Sequence, residues 1–177
     1  MAAGLSPDLT VASGEGRGLR QLHAIDRHGR TAAWTGANCV TWCGRVADHA
    51  VSVAGNMLAN ASVVPATLAA FAAADGHLAE RLMAGMDTGE AAGGDRRGRQ
   101  SAAMVITTTE DFPDLSIRAY DHDEPLVELR RLLGVWRRER APGLQHAPRK
   151  AAPAGLIDLN AIEAPWIAAG LDLRLRR

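Results

Sequence analysis

Aromatic residues are scarce in this chain, which has two Phe, one Tyr and four Trp among its 177 residues. Few large anchors are therefore available to a core. Lysine is scarcer still, and Lys150 is the only one among 20 basic residues. Cysteine occurs twice, at Cys39 and Cys43, in the run CVTWC. Three intervening residues fit neither a CxxC redox pair nor half of a zinc site, so both are read as ordinary thiols. No apolar run approaches the ~20 residues of a membrane span. The opening MAAGLSPDL lacks a basic region followed by an apolar stretch, which excludes a secretory signal. These absences predict a cytoplasmic protein with no membrane partner. Formal net charge is zero, which argues against a globally basic nucleic-acid binder.

What is present is alanine, glycine and arginine, with a hydrophobic fraction of 47%. The length suits one domain with a buried, alanine-rich core and a tail. The neutral total hides an asymmetry: residues 1–136 hold 12 basic and 16 acidic side chains, residues 137–177 hold 8 and 4. Such an excess of arginine is most simply explained by GC-rich coding, so arginine abundance alone says little about function.

Along the chain, residues 1–18 read as the end of a helix followed by a glycine-rich loop. Residues 19–26 alternate, 27–30 (RHGR) make a turn whose glycine supplies positive φ, and 31–35 return, which predicts a β-hairpin. Residues 36–49 look irregular. Residues 51–57 (VSVAGNM) read as a strand. Ser62 stands as an N-cap, with Pro65 acceptable in the first turn of a buried helix over 63–74. After Asp75-Gly76, the spacing of Leu78, Leu82 and Met86 predicts a second helix ending near Ala92, where Gly93 stops it. Residues 101–108 and 115–120 form an antiparallel pair about a turn at 111–114. Asp123 caps a helix bearing Leu126, Leu129, Leu132, Leu133 and Trp136 on one face, with Trp136 in the core. Residues 137–153 fit a basic, proline-bearing linker, and the remainder a short helical hook interrupted by Pro165. Paired antiparallel strands around a block of helices predict a layered α+β protein.

One segment carries chemistry. Residues 93–106 read GGDRRGRQSAAMVI, a glycine-rich turn leading through three arginines into a strand. Glycines let backbone N–H groups approach a ligand, and guanidiniums bind carboxylate or phosphate bidentately. Gly93, Gly94, Asp95, Arg96, Arg97, Arg99 and Gln100 are the candidate substrate-binding residues. The competing reading is a solvated cationic loop. Adjacent arginines entering a strand point to opposite faces, so one or two at most can serve one pocket. Asn56 is a candidate oxyanion donor, set against a turn asparagine bonded to its own backbone. His23 and Asp26 fall on opposite strand faces and make a poor catalytic pair. Asp121, His122, Asp123 and Glu124 carry ligand-type atoms, but consecutive residues at a strand–helix junction seldom converge on one ion. Neither a metal nor a cofactor is expected.

The segments LRQLHAIDRHGRTAAWTG, VSVAGNML, AAGGDRRGRQSAAMVI and YDHDEPLVELRRLL, in this order and spacing, closely resemble the bacterial domain-of-unknown-function family 1028, of the Ntn-hydrolase-like superfamily. The resemblance spans roughly residues 1–135. It implies an αββα sandwich, so that residues 1–136 form a partial domain of this kind and 137–177 a linker and tail. It also implies amide hydrolysis by a Thr, Ser or Cys at the start of the first core strand. Members typically begin with a strand resembling TFSIVA, 60–70 residues before the matched region, and this sequence opens without one. Either the gene start lies at an internal methionine or the chain is truncated, and the resemblance supplies no nucleophile for it. The expectation is an amidohydrolase-derived protein, inactive as this chain. The alternative is a non-catalytic protein that binds a small anionic metabolite or a protein partner through the 93–99 loop. Exposed strand edges would favour a homodimer.

Overall fold

The structure is a computed structural model that describes residues 14–171. Residues 1–13, where a helix end was expected, and the last six residues of the tail lie outside the described residues. The chain divides into two compact units, Met1–Arg99 and Gln100–Arg177.

In the first unit, strand β1 (Gln21–Ile25) and strand β2 (Thr31–Thr35) pair antiparallel, with Gln21 opposite Thr35. Asp26 shapes their turn: Oδ1 accepts from His28 N at 2.8 Å and Arg30 N at 2.9 Å, and Gly29 takes a φ of 74°. A second hairpin joins β3 (Gly44–Asp48) to β4 (Val51–Gly55), with Gly44 opposite Gly55. β3 lies in the stretch expected to be irregular. Its sequence, GRVAD, has one β-branched residue, so its strand state comes from pairing with VSVAG rather than from propensity.

The two hairpins stack face to face. Gln21 Nε2 donates to Gly44 O and to Gly55 O, both at 3.1 Å. Its amide thus bridges the paired ends of the opposite hairpin. Farther along, His23 Nδ1 is 3.0 Å from Ser52 Oγ, and Arg45 Nη1 donates to Ala33 O. Strand alternation then turns Val51 and Val53 to the other face. Helix α1 (Val63–Ala73) packs against β3 and β4, and helix α2 (Leu78–Ala91) packs against α1.

Val63, Val64, Phe71, Ala79 and Met83 form the buried core of this unit. The helices approach closely because Gly85 and Gly89 are buried on α2. A Cβ on Gly85 would lie 3.1 Å from Thr67 O, and one on Gly89 would collide with Thr67 Oγ1. Ser62 holds the N-cap position but makes no side-chain cap bond. Its hydroxyl and amide instead donate to Asn60 Oδ1, at 2.5 and 2.8 Å, so an asparagine turn leads into the helix.

The second unit pairs β5 (Ala102–Ile106) antiparallel with β6 (Leu115–Ala119). Met104, Leu115, Ile117 and Ala119 are buried together with Pro125, Leu129 and Leu133 of helix α3 (Pro125–Val135). Glu124, not Asp123, occupies the cap position; Glu124 N donates to His122 Nδ1 at 3.0 Å. The stretch expected as a linker is helical at its start. A π-helical turn (Trp136–Arg140) runs into helix α4 (Ala141–Leu144), which holds Pro142. Beyond it, Lys150 Nζ reaches Thr109 O at 2.9 Å and Asp111 Oδ1 at 2.7 Å, which ties the chain back onto the β5–β6 turn. Helix α5 (Leu159–Ala168) continues through Pro165. Asp158 caps it at Asn160 N, and Trp166 Nε1 anchors it to Glu139 O at 2.7 Å. Trp136 is half-buried. Among the described residues no helix is long and apolar enough to cross a membrane.

Candidate functional site

Where the stacked hairpins end at Gly44 and Gly55, three irregular segments lie side by side. Residues 40–42 bond to 57–58: Met57 N donates to Val40 O at 3.1 Å, and Leu58 N to Trp42 O at 3.0 Å. Residues 57–59 bond in turn to the glycine–arginine loop, through Arg96 N to Met57 O at 2.8 Å and Ala59 N to Gly94 O at 3.0 Å. The loop is thus the outer strand-like member of a small layer.

Its glycines make that docking feasible. Gly93 has φ 126° and Gly94 φ 54°, a region L side chains rarely adopt. Gly94 N returns to Gly89 O at 3.1 Å, fastening the loop to the end of α2. Asn60 holds it from the other side, with Nδ2 donating to Ala92 O at 2.8 Å.

The arginines divide their work. Arg96 Nη1 crosses the layer to donate to Thr41 O at 2.9 Å. Arg99 Nη1 lies 3.1 Å from Glu90 Oε1. Arg97 meets Asp95 side by side, Nε to Oδ1 at 3.0 Å and Nη2 to Oδ2 at 2.6 Å, while Arg97 N closes an asparagine-type turn on the same Oδ1. The side-chain bond from Arg97 holds the Asp95 carboxyl below its ordinary 3.8, against partial desolvation, and Arg96 adds to the effect. The same bond raises Arg97 above its ordinary value. Within the loop, only the Arg97 guanidinium is both widely exposed, at 67%, and held by a single surface ion pair.

Asn56 follows β4 directly and lies next to Met57, the anchor for Arg96. Its Nδ2 is 3.4 Å from Gln21 Oε1. Gln21 also donates to Thr35 Oγ1 at 3.1 Å, so one glutamine links both hairpins to Asn56. Gln21 and Asn60 were not singled out in the sequence, because glutamine at a strand start and asparagine before a helix carry no distinctive spacing.

Gln100 opens the second unit. Its Nε2 donates to Asp121 Oδ1 at 3.1 Å, and its carbonyl accepts from His122 N at 3.0 Å. The acidic stretch 121–124 is therefore engaged in a junction. Among the described residues no group of three or more His, Cys, Asp or Glu could hold a metal. Cys43 Sγ sits 3.8 Å from Cys39 O, and both thiols are free.

A family model described as a family of unknown function, DUF1028, matches residues 2–129. The crystal structure of a Silicibacter pomeroyi protein, itself placed in DUF1028, resembles this chain with a TM-score of 0.77 and 29% sequence identity. The likeness covers 85% of this chain and 68% of that one. No curated protein matches the chain.

Proposed function

The chain belongs to the DUF1028 family of unknown function, and on that premise we propose that it is an Ntn-hydrolase-like αββα protein that binds a small amide bearing a carboxylate, without cleaving it. The first unit supplies hairpin stacked on hairpin with helices on one side, a layering that suits such a sandwich. The binding surface is the end of the hairpins, where Asn56, held by Gln21, presents its side-chain amide beside the 93–99 loop. Amide groups recognise amides, and a guanidinium recognises a carboxylate in a planar, two-bond geometry.

The observation that carries this reading is the exposed Asp95–Arg97 pair. Exposed ion pairs contribute about 0–1 kcal/mol, so a ligand carboxylate can replace Asp95 at little cost. Arg96 is committed to Thr41 O and serves the loop's shape instead.

Amide hydrolysis is the second reading, and the pair His23 Nδ1–Ser52 Oγ at 3.0 Å favours it as a base and a nucleophile in contact. Ser52 and Asn56 are four residues apart along an extended segment, roughly 13 Å. That is too far for Asn56 to stabilise an oxyanion formed at Ser52, which ranks this reading second. Incubation with N-acetylglycine and N-acetylglutamine, followed by thermal unfolding and mass spectrometry, separates the two. Stabilisation with no free amine released is the expected outcome. Turnover that disappears in Ser52→Ala would establish hydrolysis instead, and no stabilisation by either compound would remove the binding claim.

A further inference from the structure

The second unit holds a cleft of about 510 Å³, walled by Phe112, Pro113, Trp136, Leu144, Ala147 and Pro148. Its volume falls within the ~300–1,000 Å³ typical of small-molecule sites. The cleft belongs entirely to residues beyond the glycine–arginine loop and is independent of the function proposed for that loop.

Its polar lining consists of Asp114, Ser116 and Arg140. Asp114 is already committed, with Oδ2 accepting from Thr108 Oγ1 at 2.5 Å and Oδ1 lying 3.5 Å from Arg149 Nη2. Arg149 is held further by Leu144 O at 3.3 Å and stacks 5.9 Å from the Phe112 ring centre. Arg140 also lines the cleft, and its guanidinium has neither a hydrogen bond nor an ion pair among the described residues. The adjacent carboxylate, Glu139, is taken by Arg138 at 3.0 Å.

Backbone geometry aims this arginine. Trp136–Arg140 is a π-helical turn, closed by Ala141 N on Trp136 O. Single π turns inside helices are uncommon and concentrate at functional sites. Here the turn sets Trp136 and Arg140, one at each end, onto the same cleft. Two aromatic rings and four aliphatic or proline surfaces suit a flat apolar body, and one unpaired guanidinium suits one anionic group.

We infer that this cleft binds a small aromatic carboxylate, with the ring between Phe112 and Trp136 and the carboxylate on Arg140. Phenylacetate is the probe, followed by Trp fluorescence of the whole chain, and neutral phenylacetamide is its control. Phenylacetate should quench emission saturably below about 1 mM, and Trp136→Phe should remove most of the change. Phenylacetamide and the Arg140→Gln variant should each show affinity lower by about tenfold or more, the loss of a charge-assisted pair. Ala147→Leu keeps Arg140 but fills the cleft, and should abolish binding of both probes. Equal affinity for the acid and the amide, unchanged binding in Arg140→Gln or Ala147→Leu, or no saturation in that range would overturn the inference.

Discussion

Arg97 grips Asp95 with two parallel hydrogen bonds, at 3.0 and 2.6 Å, on a surface where two-thirds of the arginine side chain meets solvent. The pair both completes the loop and keeps a guanidinium in the geometry that a carboxylate ligand needs. Removing either partner should therefore have different consequences.

Asp95 has a lowered pKa in the folded chain. A carboxylate of this kind contributes stability above its unfolded value, and loses it as pH falls through the lower folded value. The contribution should be present at neutral pH and fade below about pH 4. Thermal midpoints measured from neutral pH to about pH 2 should separate Asp95→Asn from the parent at the upper end and merge the two at the lower end. A constant separation across the range would exclude the ionised pair as its source.

The glycines of the helices give opposite predictions. Gly89→Ala places a methyl against Thr67 Oγ1 and should destabilise by about 1–3 kcal/mol, as overpacking does. Thr67→Ala in the same chain should recover part of the loss. Gly134→Ala in α3 meets nothing within 4 Å, and should stabilise by about 0.4–1 kcal/mol. Denaturant unfolding of the three variants checks the signs.

These contrasts show what was legible in the sequence. The helices over 63–73 and 78–91 follow from turn signals and apolar spacing, and the β1–β2 and β5–β6 hairpins from alternation around Gly29 and Pro113. The α+β class follows from that order. β3 was not legible, because GRVAD becomes a strand only against β4. The helical run after Trp136 was not legible, because its arginines and Pro142 look like breakers. At the site, the glycine–arginine loop stood out by composition, but its internal wiring did not. That Arg96 reaches Thr41 O, 55 residues away, depends on tertiary placement that no local pattern encodes.

Asn60 should prove a structural hinge of the site. Its side chain holds Ala92 O, Ser62 N and Ser62 Oγ at once. Asn60→Ala should cost about 1–2 kcal/mol in denaturant unfolding, and should speed amide exchange over 93–96. Unchanged exchange there would show that the loop is held elsewhere.

Arg96 and Arg97 should split cleanly. Arg96→Ala loses the brace to Thr41 O, and should lower stability by about 1 kcal/mol while exposing 40–42 to faster exchange. Arg97→Ala loses only an exposed pair, and should shift stability less than Arg96→Ala does. A larger loss for Arg97→Ala than for Arg96→Ala would reverse the assigned roles.

The most direct test of the binding site is calorimetric titration of N-acetylglycine and of neutral N-acetylglycinamide into the parent chain and Arg97→Ala. The acid should bind the parent at least about tenfold more tightly than the neutral amide does, and Arg97→Ala should erase that preference. Equal affinity of the two compounds for the parent, or a preference that survives Arg97→Ala, would contradict carboxylate recognition by this loop.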